Sequence, residues 1–248
     1  MDKFITNFDT TAELVSFSAT TDFGRPHVSL TEDDSKVHYF EYDPYNGHQY
    51  VEIGGLKWAT MNIGASQPSD YGLYFAWGDT QGYTAKQVGS GEGKKYFGWE
   101  DYKYGNGTSS PGDTGITKYN STDGLKTLEA VDDAAVANWG GSWRMPTSAE
   151  FQALGAAVNT AWTQVNNVYG MLCTDKTDSS KTLFFPAAGY CYNGSVSSVG
   201  NYGYYWSSSL LTSSRRSAYR LDFYSDRANW GNEIRFRCVG FAVRPVVG

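Results

Sequence analysis

Apolar positions along this chain follow two periods, and the change from one to the other marks its elements. Near the N-terminus, His27-Val28-Ser29-Leu30 and Lys36-Val37-His38-Tyr39-Phe40 are short alternating runs bracketed by turn signals at Phe23-Gly24-Arg25-Pro26 and Asp43-Pro44-Tyr45-Asn46-Gly47. They predict a short β-hairpin with a charged tip at Glu32-Asp33-Asp34-Ser35. Residues 1–49 therefore read as an N-terminal attachment segment, followed by a main domain over 50–248. Val51-Glu52-Ile53, Leu56-Lys57-Trp58-Ala59 and Gly72–Trp77 open that domain as short apolar segments between Gly-, Ser- and Asn-rich loops. A loop of about 40 residues follows; at that length it is either functional or packed by its own side chains, and Trp99, Tyr102, Tyr104 and Tyr119 favour self-packing.

Helical periodicity appears twice. Asp132-Asp133 precede Ala134-Ala135-Val136-Ala137, placing carboxylates where a helix leaves its first N–H groups unpaired, and Gly140-Gly141 end the run. Thr147-Ser148-Ala149-Glu150 is a capping box, and Phe151, Leu154 and Val158 continue it as a buried stripe. From Thr182 onward the chain reads as strands and turns. In Ala218–Tyr224, Tyr219, Leu221 and Phe223 alternate with Arg220, Asp222 and Tyr224, the pattern of a half-buried strand. Phe241–Val246 reads as a closing strand, with Pro245 at an edge or at its end. The expected class is α+β with a few short helices.

Charge sharpens the picture at the C-terminus. The whole chain has 20 basic and 26 acidic side chains, net −6, with no broad basic footprint for nucleic acid. From Tyr204 to Gly248, however, there are seven Arg, no Lys and only three acids, Asp222, Asp226 and Glu233. Arg, Tyr, Phe and Asn gathered in one segment are the composition of a binding surface, because rigid aromatics and guanidinium forks anchor partners at modest entropic cost. The three cysteines, Cys173, Cys191 and Cys238, form no CxxC pair, and the three histidines all lie before residue 50, so neither a disulfide framework nor His-dependent catalysis is expected. No stretch approaches the length of a membrane-spanning helix, and MDKFITNFDTTAELV lacks an apolar run followed by a cleavage site, so neither membrane insertion nor export is expected.

Several ordered motifs carry a resemblance: Leu56–Ala65, Tyr71–Thr80, Asp132–Ala135, Asn138–Thr147, Phe185–Gly189, Gly203–Ser209 and Gly240–Pro245. Over about residues 50–248 the chain resembles the Fibrobacter succinogenes major paralogous domain. That resemblance implies a C-type lectin-like fold, in the variant shared with formylglycine-generating enzymes, which also houses the variable proteins of diversity-generating retroelements in phages and gut Bacteroidetes. In such proteins AAC or AAT codons near the C-terminus are rewritten, which can yield Arg, Tyr, Asp, Ser, Phe, Leu, Ile, Cys, Val, Gly or Asn but never Lys, Gln, Glu, Met or Trp. Between Tyr204 and Gly248 there is no Lys, Gln or Met, Trp206 and Trp230 sit in the family-like framework, and only Glu233 needs another codon.

The resemblance thus implies a rigid scaffold beneath a variable region at about 204–245. Tyr219, Leu221, Phe223, Trp206, Trp230, Phe241 and Val243 are expected to face the core. Arg215, Arg216, Arg220, Asp222, Tyr224, Arg227, Asn229, Gly231, Asn232, Ile234, Arg235, Phe236, Arg237 and Cys238 are expected to face outward and bind ligand. The run Gly231–Val239 has neither period and reads as a loop, with Cys238 an unpaired surface thiol. The expected partner is a host-surface protein or glycan receptor, with the N-terminal segment docking to a virion or cell-surface structure and oligomers open. An oxidase of the formylglycine-generating type needs paired active-site thiols, which are not identifiable here. Calcium-dependent sugar binding needs carboxylate-rich loops, and Trp230-Gly231-Asn232 and Gln67-Pro68-Ser69 carry too few. No catalytic residue, metal or cofactor is expected. The competing reading is an invariant lectin-like module that binds a single glycan or protein.

Overall fold

Thr147 accepts from the Glu150 backbone N–H while the Glu150 carboxylate accepts from the Thr147 N–H, so the helix starts where its capping box sits in the sequence. The computed structural model describes residues 14–22, 25–32, 37–41 and 45–248. The chain divides into two compact units, Met1–Pro44 and Tyr45–Gly248.

Among its described residues the first unit contains three strands, β1 (Leu14–Asp22), β2 (Arg25–Glu32) and β3 (Val37–Glu41), paired antiparallel in the order β1-β2-β3. The expected hairpin is β2–β3, with His38 opposite Leu30 and Phe40 opposite Val28. The strand ahead of it was not read in the sequence, and most of the expected charged tip, at 33–36, lies outside the described residues.

In the second unit, β4 (Tyr50–Ile53) and β5 (Leu56–Ala59) form a hairpin through Gly54 and Gly55, both at positive φ. A long irregular stretch then leads to α1 (Ala134–Trp139) and α2 (Ser148–Ala157). Asp133 caps α1 by accepting from Ala135 and Val136 N–H, and Gly140 at φ +63° ends it. Val158 does not extend α2. It opens β6 (Val158–Val165), which pairs with β7 (Val168–Asp175) across Asn166-Asn167, both at positive φ, and β8 (Thr182–Pro186) completes that sheet. The short pair β9 (Tyr190–Tyr192) and β10 (Ser195–Ser197) precedes the sheet β11 (Gly203–Leu210), β12 (Ser217–Tyr224) and β13 (Arg227–Phe236). Finally β14 (Val246–Val247) pairs with β5, joining the two ends of this unit.

Phe241–Val246 is therefore not one closing strand. It is buried throughout and bridges in turn to Phe75, Tyr205 and Arg144, three different neighbours, before Val246 opens β14. The core is built from large aromatics, with Trp58, Trp77, Trp143, Trp206, Tyr205, Phe75 and Phe151 all buried. The long irregular stretch packs on its own rings as expected: Trp99, Tyr102, Tyr104 and Tyr119 are buried edge-to-face neighbours. The molecule mixes helix and sheet and is dominated by strands.

Candidate ligand-binding face

Cross-strand partners in an antiparallel sheet share a face, so register sorts the side chains of β11–β13. Tyr205 lies opposite Leu221, and Phe223 opposite Ala228; Tyr205, Leu221 and Phe223 are fully buried and form the inner face. Tyr204 lies opposite Asp222, Asp222 opposite Asn229, Arg220 opposite Glu233, Ala218 opposite Arg235, and Tyr224 opposite Arg227. These form the other face. Trp206, on that side opposite Arg220, is covered and donates from its indole to the Phe75 and Val239 carbonyls.

Between Arg220 and Asp222 the register shifts, so Leu221 faces the three residues Trp230-Gly231-Asn232. Gly231 makes this bulge possible. Its φ is +75°, and a Cβ there would come within 2.5 Å of the Ser148 carbonyl oxygen. Trp230 turns toward α2 and lies over Gly155, where a Cβ would meet the indole at 2.3 Å.

The outer face carries a cleft of about 130 Å³ lined by Tyr190, Tyr204, Arg220, Arg235 and Phe241. Its aromatic wall is a stack: the Tyr204 ring lies 5.2 Å from Phe241 and 5.9 Å from Tyr202, nearly parallel to both, with Tyr190 edge-on to it at 5.5 Å. Tyr224 adjoins Tyr202 at 5.2 Å. The Arg220 guanidinium lies 5.3 Å from the Tyr204 ring centre and 5.8 Å from that of Phe241, while Arg235 lies 5.7 Å from that of Tyr192. Arg220 donates to the Ile234 carbonyl and approaches Asp222 at 3.7 Å. Burial raises the Asp222 pKa against the opposing pull of Arg220 and Asn229, and burial lowers that of Arg220 against Asp222. Burial also pushes the Tyr204 hydroxyl up to about 12.

The expected outward set divides. Arg227, Asn232, Ile234, Arg235 and Phe236 are exposed, and Arg215, Arg216, Arg220, Tyr224 and Asn229 are half-buried. Ile234 lies opposite Tyr219 and Phe236 opposite Ser217, so neither shares a face with Arg235. Phe236 instead joins a second cluster in which Arg216 lies 5.0 Å from its ring and 5.3 Å from that of Trp99. Asp222, Gly231, Arg237 and Cys238 are buried, and their outward assignment is corrected. Asp222 is covered by its neighbours on the outer face, and Gly231 by α2.

Arg237 points into the long irregular stretch. It donates to the Tyr102 hydroxyl at 2.8 Å and to the carbonyls of Lys118, Tyr119 and Arg215, with Trp77 4.8 Å away. Its charge is met by carbonyl dipoles and ring faces, with no ion pair to a carboxylate among the described residues. Cys238, next to it, is fully enclosed, and burial pushes its thiol up to about 12. Of the expected inward set, Leu221, Phe223, Trp206, Phe241 and Val243 are buried, but Trp206 lies on the outer side of the sheet and Phe241 in the wall of the cleft, and Tyr219 and Trp230 are half-buried. Sequence reasoning missed Tyr190, Tyr192, Tyr202 and Tyr204 as parts of this face. The alternation in Tyr190-Cys191-Tyr192 was the available signal.

Among the described residues, no cluster of three or more His, Cys, Asp or Glu is placed to hold a metal ion, and no helix is long and apolar enough to cross a membrane. A family model described as a domain of unknown function (DUF8237) matches residues 173–246, the segment that holds the cleft and its sheet. Comparison with curated proteins and with solved structures finds no match.

Proposed function

We propose that residues 45–248 form a C-type lectin-like ligand-binding domain, and that the outer face of β11–β13 is a receptor-binding display surface diversified by a retroelement on a phage or cell surface. The observation that carries this reading is the division of β12: Leu221 and Phe223 are fully buried, while Arg220, Asp222 and Tyr224 lie among tyrosines on the other side. Folding and recognition then use different side chains of one strand. The tyrosine and arginine content of the face fits a protein or glycan receptor. The first unit is the natural place for attachment to a larger surface structure.

The diversified set is narrower than the sequence implies. Gly231, Arg237 and Cys238 serve the scaffold; Arg220, Tyr224, Arg227, Asn229 and Arg235 are the positions on the outer face free to change, while Asn232, Ile234, Phe236, Arg215 and Arg216 lie off that face. No catalytic role is assigned. All three cysteines are buried, with thiol pKa values raised by burial, and none lines the cleft.

The burial of Arg237 and Cys238 within the expected variable stretch favours a second reading, an invariant module that binds one ligand. Sequencing the flanking DNA separates the two. A reverse-transcriptase gene and a near-copy of the 3′ end that differs at adenines are expected for the display reading; a flank with neither overturns it in favour of the invariant module.

A further inference from the structure

We infer that the cleft between Tyr190 and Arg235 is an anchor notch for an acidic side chain of a polypeptide partner, its carboxylate held between Arg220 and Arg235. This deepens the display reading and rests on it.

The lining is two arginines and three aromatic rings, with no carboxylate among the lining residues. Arg220 is held in place before any partner arrives: it lies against Tyr204 and Phe241, donates to the Ile234 carbonyl, and its side chain is only 12% exposed. Its Nε is buried and has no hydrogen-bond partner among the described residues. Asp222 sits 3.7 Å from Nη2, longer than a good charge-assisted hydrogen bond, so it offsets charge without occupying the donor fork. Arg235 is exposed and brings a second positive charge to the same opening. Asp222 and Glu233, the latter directly opposite Arg220 across the strands, already offset part of the Arg220 charge, and a carboxylate entering the opening adds hydrogen bonds from the two guanidinium groups.

Size selects the carrier. At about 130 Å³ the cleft lies well below the roughly 300–1,000 Å³ typical of small-molecule sites, and suits a side-chain tip better than a whole sugar ring. Tyr202 and Tyr224 continue the surface beyond the opening as rings with polar tips, the kind of contact polypeptide interfaces favour.

The test is an NMR titration of the full chain that follows the Tyr190 and Tyr204 ring signals. Three probes are used: N-acetyl-glutamate N-methylamide, its glutamine counterpart and glucuronate. The glutamate probe is expected to give saturable shifts. Affinity should fall at least about tenfold for the glutamine probe, and for the glutamate probe with Arg235→Gln, an exposed change that leaves the fold intact. Equal response to both amino-acid probes, no saturable response to glutamate, or tighter binding of glucuronate each overturns the inference. Those failures leave the display reading standing, because it is judged by the flanking DNA and by tolerance to substitution.

Discussion

The Nε of Arg237 donates to the hydroxyl of Tyr102 at 2.8 Å, across 135 residues of chain, and fastens the end of the last long strand to the irregular stretch that packs beside it. Arg237 has no exposed surface, and its other donors are taken by the carbonyls of Lys118, Tyr119 and Arg215. Arg237→Leu should therefore leave those carbonyls without partners and cost about 3–5 kcal/mol of unfolding free energy, read from urea denaturation. A loss below about 1 kcal/mol would show that the fastening is dispensable.

Gly231 is the second scaffold position inside the stretch expected to vary. Gly231→Ala places a methyl 2.5 Å from the Ser148 carbonyl oxygen at φ +75°, and backbone must move to admit it. A cost of roughly 1–3 kcal/mol is expected, against less than about 0.5 kcal/mol for exposed Asn232→Ala next to it. Equal midpoints for the two variants would contradict the bulge.

Asp132 sets an acid limit on stability. Burial alone would raise its pKa, but hydrogen bonds from Lys103, Lys118, Tyr104 and Tyr119 outweigh burial and hold the carboxyl well below the usual carboxylate range. A carboxyl depressed in the folded state contributes stability that is fully present above its unfolded value, near 4, and is lost as pH falls below it. Asp132→Asn should cost about 2 kcal/mol at pH 7, and its gap to the wild type should narrow between pH 5 and about pH 2. Urea midpoints across that range check it; a gap that stays constant or widens in acid would contradict the network.

Where a local signal sufficed, the sequence was readable. Asp133 and Thr147 announced both helices because a cap acts within three residues, and the alternation in β12 announced its two faces. Arg237 was unreadable for the opposite reason: a cation reads as solvated unless its partners are known, and these come from residues 77–119 and 215. The Gly231 bulge hid β13 in the same way, since a strand that shifts register loses its period-2 pattern. The β6–β7 hairpin had a signal in Asn166-Asn167, but the apolar stripe of α2 runs directly into Val158 and masks the change of element. The cleft joins Tyr190 to Arg220 and Arg235, a juxtaposition that only the packed fold supplies.

The most direct measurement of whether shape and recognition are separable compares three outer-face changes with one inner change. A chain carrying Tyr224→Ser, Arg227→Ser and Arg235→Ser should lose no more than about 1.5 kcal/mol of unfolding free energy, roughly 0.5 kcal/mol per surface site. Leu221→Ala alone, at a fully buried position, should lose about 2–5 kcal/mol. If the three-fold variant unfolds more readily than Leu221→Ala, the outer residues are holding the fold together and the surface is not free to vary.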